Sequence, residues 1–305
     1  MPMSRPSSAL QVVSAGPLTT VQDLGRRGYA SMGVGVSGAV DRSSHNRANR
    51  LVGNLPNAAT LELTFGGFSA VATAHLWVAV TGANAEVLVD HIAHPIDTLL
   101  AVRPGQRIRI GMPSAGVRTY LSLRGGIDVP PILGSRSTDS LAQLGPDPVS
   151  DGDALAVGEE HAAFPCIDHI PTGKATATPT KIRLDFLPGP RDDWFTPAAQ
   201  ALLCSTTWTV NAASNRIGVR LDGPSLERAL TQELLSEGVA LGSVQVPPSG
   251  PIVFLNDHPV TGGYPVIGVV TRECLDNLAQ ARAGDDVIFR SQATGSRTQM
   301  TITED

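Results

Sequence analysis

The chain is short of aromatic residues, of cysteine and of positive charge. Aromatics make up 4% of its 305 residues, cysteine occurs three times, and the formal net charge is −5. Each shortage excludes something. An acidic balance with a pI near 5.8 leaves no electrostatic footprint for nucleic acid or an anionic membrane, so neither is expected as a partner. Cys166, Cys204 and Cys274 lie far apart with no Cys-x-x-Cys spacing. That rules out a zinc ribbon and an even disulfide framework, and it fits a reducing, cytoplasmic setting. No run approaches the roughly 20 apolar residues of a membrane helix. Met1 to Ala9 is rich in Ser and Pro, lacks the apolar core of a leader, and reads as a floppy tail.

What is plentiful is turn-forming residue: 31 glycines and 23 prolines among short Val, Ile, Leu and Thr runs. That pattern predicts a mainly β protein with a few short helices, its strands forming barrels or sandwiches. Strands are expected at Leu10 to Ala15, Leu61 to Thr64, Ala70 to Thr81, Glu86 to Val89, Arg107 to Ile110, Arg118 to Leu123 and Ala154 to Val157. Ser43 onward reads as a helix, capped by Asp41 or Ser43 and stopped by Gly53-Asn54. The length suits two domains. The Thr, Ala and Pro-rich stretch 159–181 reads as the linker between a first lobe at 10–158 and a second at 182–292. In the second, strands are expected at Ile182 to Leu187, Thr207 to Ala212, Ile217 to Leu221, Val239 to Val246, Ile252 to Leu255, Val266 to Val270 and Val287 to Arg290, with helices at Pro197 to Cys204 and Glu273 to Ala281. Gly16-Pro17 and Gly189-Pro190 recur at nearly the same offset as Gly105 and Gly284, which points to a duplicated domain, although such turns also recur by chance in a turn-rich protein.

The densest chemistry lies in Gly16 to Asp41, read as a loop after the first strand. Thr20, Gln22, Asp23, Arg26, Ser37 and Asp41 can converge there on a small ligand. A second set, Asn256-Asp257-His258 with Thr261, Gly262, Gly263 and Tyr264, offers a carboxylate, a hydroxyl and close backbone approach; its alternative is a plain hairpin with Tyr264 packed beneath. Arg191 offers a fork for a carboxylate, or a partner for Asp192 or Asp193. Asp90, His91, His94 and Asp97 have metal-capable side chains, against a polar hairpin as the simpler reading, and no metal is expected. His45 is placed on the exposed side of the first helix. The glycine spacings of a nucleophile elbow and of a Walker A loop are both absent.

Seven ordered blocks carry a resemblance: Gly16 to Arg26, Ser37-Gly38-Ala39-Val40-Asp41, Ala48 to Asn54, Leu133-Gly134-Ser135-Arg136-Ser137-Thr138, Gly189-Pro190-Arg191, Ser236-Glu237-Gly238 and Thr261-Gly262-Gly263-Tyr264-Pro265. Together they resemble the allophanate hydrolase subunit 2 family, which takes in the C-type subunit of 5-oxoprolinase, the Kip inhibitor antagonist and part of the urea carboxylase carboxyltransferase domain. Val40 and Ala283-Gly284 depart from the family's usual Met and Pro-Gly. The resemblance implies two cyclophilin-like β-barrel lobes and a subunit that works beside a subunit 1 homologue and a third, barrel-type subunit, opening the lactam of 5-oxoproline with ATP and inactive alone. A carboxyltransferase-like component of a urea or allophanate pathway and a non-enzymatic regulator of a kinase inhibitor are the alternatives. Under the first reading Gln22, Asp23 and Asp41 are candidate catalytic groups. Thr20, Arg26, Ser37, Asn49, Arg191, Asp257, Thr261, Gly262 and Tyr264 are candidate substrate contacts. ATP is expected to be used by the complex, with no self-contained site in this chain.

Overall fold

The structure is a computed structural model that describes residues 8–160, 163–164 and 181–292. Its first part carries β1 (Ser8–Ser14), β2 (Leu18–Gln22), α1 (Arg42–Leu51), β3 (Thr60–Thr64), β4 (Phe68–Ala72), β5 (Leu76–Asn84), β6 (Val87–Val89), β7 (Ile92–His94), β8 (Leu99–Val102), β9 (Arg107–Ile110), β10 (Ala115–Leu123) and β11 (Ala154–Ala156). The second carries β12 (Lys181–Pro188), α2 (Pro197–Ser205), β13 (Trp208–Val210), β14 (Gly218–Asp222), β15 (Glu237–Gly238), β16 (Ser243–Gln245), β17 (Ile252–Phe254), β18 (Thr261–Gly262), β19 (Val266–Val270), α3 (Arg272–Leu278) and β20 (Asp286–Ser291).

The first lobe holds its strands in two sheets, β11-β1-β4-β9-β6-β7 and β2-β3-β10-β5-β8. Alternate residues of both sheets, such as Leu10, Val12, Ile108, Leu61, Leu63, Val78, Val80 and Leu121, fill one core between them. The second lobe is a closed seven-strand barrel, β12-β19-β16-β17-β14-β13-β20, in which the first and last strands run parallel from Lys181↔Asp286 to Phe186↔Ser291. The chain is therefore mainly β with a few helices, and among the described residues it is the second lobe that closes into a ring. Of the expected linker, residues 161–162 and 165–180, Cys166 among them, lie outside the described residues, as do residues 1–7 of the expected tail; Ser8 and Ala9 already belong to β1.

Several local expectations change. Leu18 to Gln22 is a strand and not a loop, because it pairs along its whole length with β3. Ala70 to Thr81 splits into β4 and β5 around Thr73-Ala74-His75, a turn without glycine or proline. Asp90-His91 turns a hairpin between β6 and β7, with the Asp90 carboxylate accepting from Arg107 N and Gln106 Nε2. Among the described residues no group of three or more His, Cys, Asp or Glu is placed to share a metal ion.

The outer face of the second sheet positions the site. Since side chains alternate, Thr20, Gln22, Thr60, Glu62, Arg118, Tyr120 and Ser122 all point away from the sandwich core. The register sets Thr20 and Tyr120 on either side of Glu62. Helix α1 covers part of this face, packing Ala48 on Tyr120 and Leu51 and Val52 on Ala79. Asp41 caps it, accepting from Ser44 N at 2.9 Å. Beneath the helix His45 is fully buried, with Nδ1 at 3.0 Å from Thr60 Oγ1 and Nε2 at 3.0 Å from Pro56 O, so it is not the exposed histidine expected. Val40, just before the helix, packs into the core of the second lobe.

Tyr120 is the pivot of this face: its hydroxyl donates to Glu62 Oε2 at 2.7 Å and accepts from Asp41 N at 2.8 Å. Tyr120→Phe leaves a buried carboxylate oxygen and a buried N–H each short of a partner. Urea denaturation should report a loss of about 1–3 kcal/mol; a change within error would show that water replaces the hydroxyl.

Candidate functional site

The uncovered remainder of that outer face meets the second lobe around a buried arginine. Arg216, 3% exposed, reaches from the loop before β14 and sets Nη1 on Glu62 Oε1, Nη2 on Gly38 O at 2.9 Å, and Nε and Nη2 on the two Asp257 oxygens at 2.9 Å each. Burial works to raise both carboxyls, yet Arg216, joined by Arg118, Tyr120 and Val40 N at Glu62 and by Ser140 and Ser37 at Asp257, outweighs it and holds both below their ordinary values. Burial likewise opposes charge on Arg216, and the two carboxylates more than reverse it. Asn256 Nδ2 donates to Ala39 O at 2.9 Å, and Gln280 bridges Asp41 Oδ2 to the Val117 and Arg118 amides.

The segment 23–41 runs along this seam, fixed from the first lobe by the loop 133–140. The Asp23 carboxylate accepts from Ser135 Oγ, Ser137 Oγ and Arg136 N, each at 2.6 Å, and from Gly25 N at 2.7 Å. Gln22 Nε2 donates to Thr20 Oγ1 and to Thr138 O at 2.9 Å, while its Oε1 is buried with no hydrogen-bond partner. Arg26 donates to Ser137 O and pairs with Asp139 at 3.5 Å. Ser37, at φ 56, gives its hydroxyl to Asp257 Oδ1 at 2.7 Å. Gly25 and Gly38 cross here with no room for a side chain: a Cβ on Gly25 would meet Val36 O at 2.4 Å, and one on Gly38 would meet Gly25 N at 2.8 Å.

Beside the seam opens a cleft of about 300 Å³. Arg26, Arg27, Arg42 and His258 line it with no acidic residue, and Val34, Val36, Val239, Leu241 and Val260 supply apolar walls. Such a lining suits a small anion with an apolar body. The ribbon β15–β18 continues from its wall, since Val239 N donates to Val260 O at 2.9 Å.

The structure thus gathers Thr20, Gln22, Asp23, Arg26, Ser37 and Asp257 along one buried network, with Arg26 and Ser37 also reaching the cleft. Asp41 is a helix cap whose carboxylate is filled by Ser44 and Gln280, and burial followed by the charge of Asp276 raises its pKa. Asn49 lies under α1 with its amide on Ala58 O and its oxygen on Ser122 Oγ at 2.7 Å, sealed from any cavity. Arg191 grips neither Asp192 nor Asp193 but Glu237, with Nε to Oε2 at 3.0 Å, steadying the ribbon that carries Thr261 and Gly262. Tyr264 is 44% exposed rather than packed beneath that turn, with Arg228 over its ring. Sequence reasoning missed Glu62, Tyr120, Arg216, Gln280 and the arginines Arg27 and Arg42. The available signal was a lone Glu in the apolar strand Leu61-Glu62-Leu63, which needs a buried cation once both faces of the strand are covered.

Two β lobes clasped by a buried arginine, with a basic cleft at the seam, define the class: the chain belongs to the family described as carboxyltransferase domain, subdomain A and B, which matches residues 32–291. Within it, the chain is 38% identical to the C-type subunit of 5-oxoprolinase from Escherichia coli K12 over 92% of its own length and 90% of that protein's. It is 34% identical to the corresponding 5-oxoprolinase subunit of Haemophilus influenzae, covering 89% of this chain and 87% of that one. The solved urea carboxylase of Kluyveromyces lactis superposes with a TM-score of 0.85 at 28% identity; the match spans 94% of this chain and 28% of that larger one. Another solved chain, 35% identical with the same TM-score, is matched over 57% of its length.

Two outcomes are expected from the seam. Arg216→Met leaves Asp257 without a cation and Glu62 with Arg118 alone, and should lower stability in urea by about 3–5 kcal/mol; a loss below 1 kcal/mol would show the junction to be well hydrated. Acid should act in stages. Burial lowers the His45 pKa, so the native state resists the proton that the unfolded chain accepts near 6.5, and stability is full above that value and falls as pH drops through it. Glu62 and Asp257, depressed from 4.5 and 3.8, lose their contribution below those values, whereas Asp41, raised from 3.8, regains some as it protonates. His45→Gln should remove the first stage from a plot of urea midpoint against pH.

Proposed function

We propose that the chain is the C-type subunit of an ATP-dependent 5-oxoprolinase, which opens the lactam of 5-oxoproline to glutamate together with a subunit 1 homologue and a barrel-type third subunit. The observation that carries this reading is the arginine-lined cleft, acid-free, at the seam of a chain so close to the C-type 5-oxoprolinase subunits in sequence and length. 5-Oxoproline is a small ring bearing one carboxylate and one lactam carbonyl. Its carboxylate fits the guanidinium groups of Arg27 and Arg42, and its methylenes fit Val34, Val36 and Val260. Opening the ring adds water to the lactam carbonyl and breaks the C–N bond, releasing a carboxylate and an amine. In this chain Arg26 and Ser37 border the cleft from the buried network, where they hold the 23–37 segment in shape around the substrate. Asp23 acts on the same segment from beneath, as a positioning group for Ser135 and Ser137. ATP belongs to the assembled enzyme and is assigned to no residue of this chain.

The kinship with urea carboxylase favours a second reading, in which the same cleft serves carboxyl transfer to a urea-like acceptor, with the biotin carrier on another chain. One experiment separates the two. The purified subunits mixed with ATP and 5-oxoproline are expected to release glutamate, and Arg27→Ala in this chain is expected to raise KM for 5-oxoproline by about tenfold with a smaller effect on kcat. An assembled complex that yields no glutamate, yet consumes carboxybiotin with urea, would move the assignment to the second reading.

A further inference from the structure

Opening a lactam moves protons as well as bonds: one leaves the attacking water and one reaches the ring nitrogen. Few groups in the cleft are equipped for that. The guanidinium groups of Arg26, Arg27 and Arg42 donate but have no lone pair to accept, and the neutral phenol of Tyr29 is a poor proton acceptor. The Ser37 hydroxyl is given to Asp257, and the Asn256 amide to Ser37 O and Ala39 O. The Asp257 carboxylate is occupied by Arg216, Ser37 and Ser140. His258 remains; it lines the cleft and is only 9% exposed. Its Nδ1 lies 2.8 Å from Pro259 O. A carbonyl oxygen only accepts, so Nδ1 carries the hydrogen and the lone pair of the neutral ring sits on Nε2. Nε2 has no hydrogen-bond partner among the described residues, and it is not sealed from solvent. The fold aims the ring: Phe254 packs against it with centroids 6.1 Å apart, and His258 N donates to Leu255 O at 3.1 Å. Phe254 and the walls Val239, Leu241 and Val260 bring no charge to it.

We propose that His258 is a catalytic residue of the cleft, its Nε2 carrying the proton during ring opening. Nε2 takes a proton from water as the water oxygen bonds to the lactam carbonyl carbon and the carbonyl π pair moves onto its oxygen. The imidazolium returns that proton to the ring nitrogen as the carbonyl re-forms and the C–N pair goes to nitrogen. The histidine ends as it began. Throughout, Pro259 O holds Nδ1–H, so a third group orients the base and keeps its tautomer. The inference rests on the lactam reading and adds to it the side chain that handles the proton.

The experiment follows glutamate release across pH by the complex assembled with the unaltered chain, with His258→Asn or with His258→Ala, given ATP and 5-oxoproline. Asparagine puts an amide N–H on the carbon that bears Nδ1 in histidine, so the bond to Pro259 O can form while the Nε2 lone pair is lost. His258→Asn is expected to lower kcat by about a hundredfold or more with little change in KM, and to flatten the acid limb of the pH profile. Imidazole added to the His258→Ala complex should restore part of the rate, which a purely structural role would not allow. An unchanged kcat or a surviving acid limb in His258→Asn, or a loss in His258→Ala that imidazole leaves untouched, would overturn the assignment while the lactam reading stands. An unaltered complex that makes no glutamate would remove that reading and this assignment with it.

Discussion

Arg216 is the constraint on which the rest depends. A guanidinium taken out of water between two lobes is tolerable only if carboxylates meet it with good geometry, and Glu62 and Asp257 do so from opposite sides. Glu62 belongs to β3 of one lobe and Asp257 to the loop after β17 of the other, so neither lobe completes the arrangement alone. The remaining lone pairs are filled by Tyr120, Val40 N, Ser37 and Ser140. The lobes are therefore joined by directional bonds, which fix their relative register more sharply than an apolar contact of the same area would.

The cleft inherits its shape from that junction. Segment 23–41 must thread between the lobes, and it does so by crossing itself at Gly25 and Gly38 and by holding Ser37 in the left-handed region, where its hydroxyl reaches Asp257. Holding a serine in that conformation costs of order 1–3 kcal/mol, which the bond to Asp257 and the pairing of Ser37 N with Asn256 O offset. Arginines 26, 27 and 42 are then presented on a segment tied down at both ends, so their direction is set by the fold instead of by loop motion.

Much of the strand content was legible in the sequence. Arg107 to Ile110 and Val266 to Val270 read correctly to the residue, the first as an alternation of arginine and isoleucine after Pro104-Gly105 and the second as an apolar run after Tyr264-Pro265. β2 was not legible: its Thr-Thr-Val-Gln run looks like a ligand loop, and only pairing with β3 makes it a strand. The candidate residues Thr20, Gln22, Asp23 and Ser37 were found through their chemistry, but that chemistry proved mostly internal, with hydroxyls and amides turned on one another. Arg216 and Glu62 lie 154 residues apart; their pairing depends on how two lobes dock, which no local pattern encodes. His45 read as exposed because its helix was judged alone, without the sheet and the 54–60 turn that enclose it.

The parallel pairing of β12 with β20 also sets a schedule. These strands open and close the second lobe, so the ring lacks its final stave until nearly the whole of that lobe has left the ribosome. The first lobe, built from antiparallel neighbours, can be complete while the second is still being made. The connection leading into the last strand also carries Gln280 and Arg282, which bond to the first lobe at Val117, Arg118 and Gly116. Closure of the barrel and docking of the lobes thus fall at the same moment of synthesis. Until then Glu62 has only Arg118, from its own lobe, as a countercharge, and the arginine that grips it from the second lobe arrives with docking.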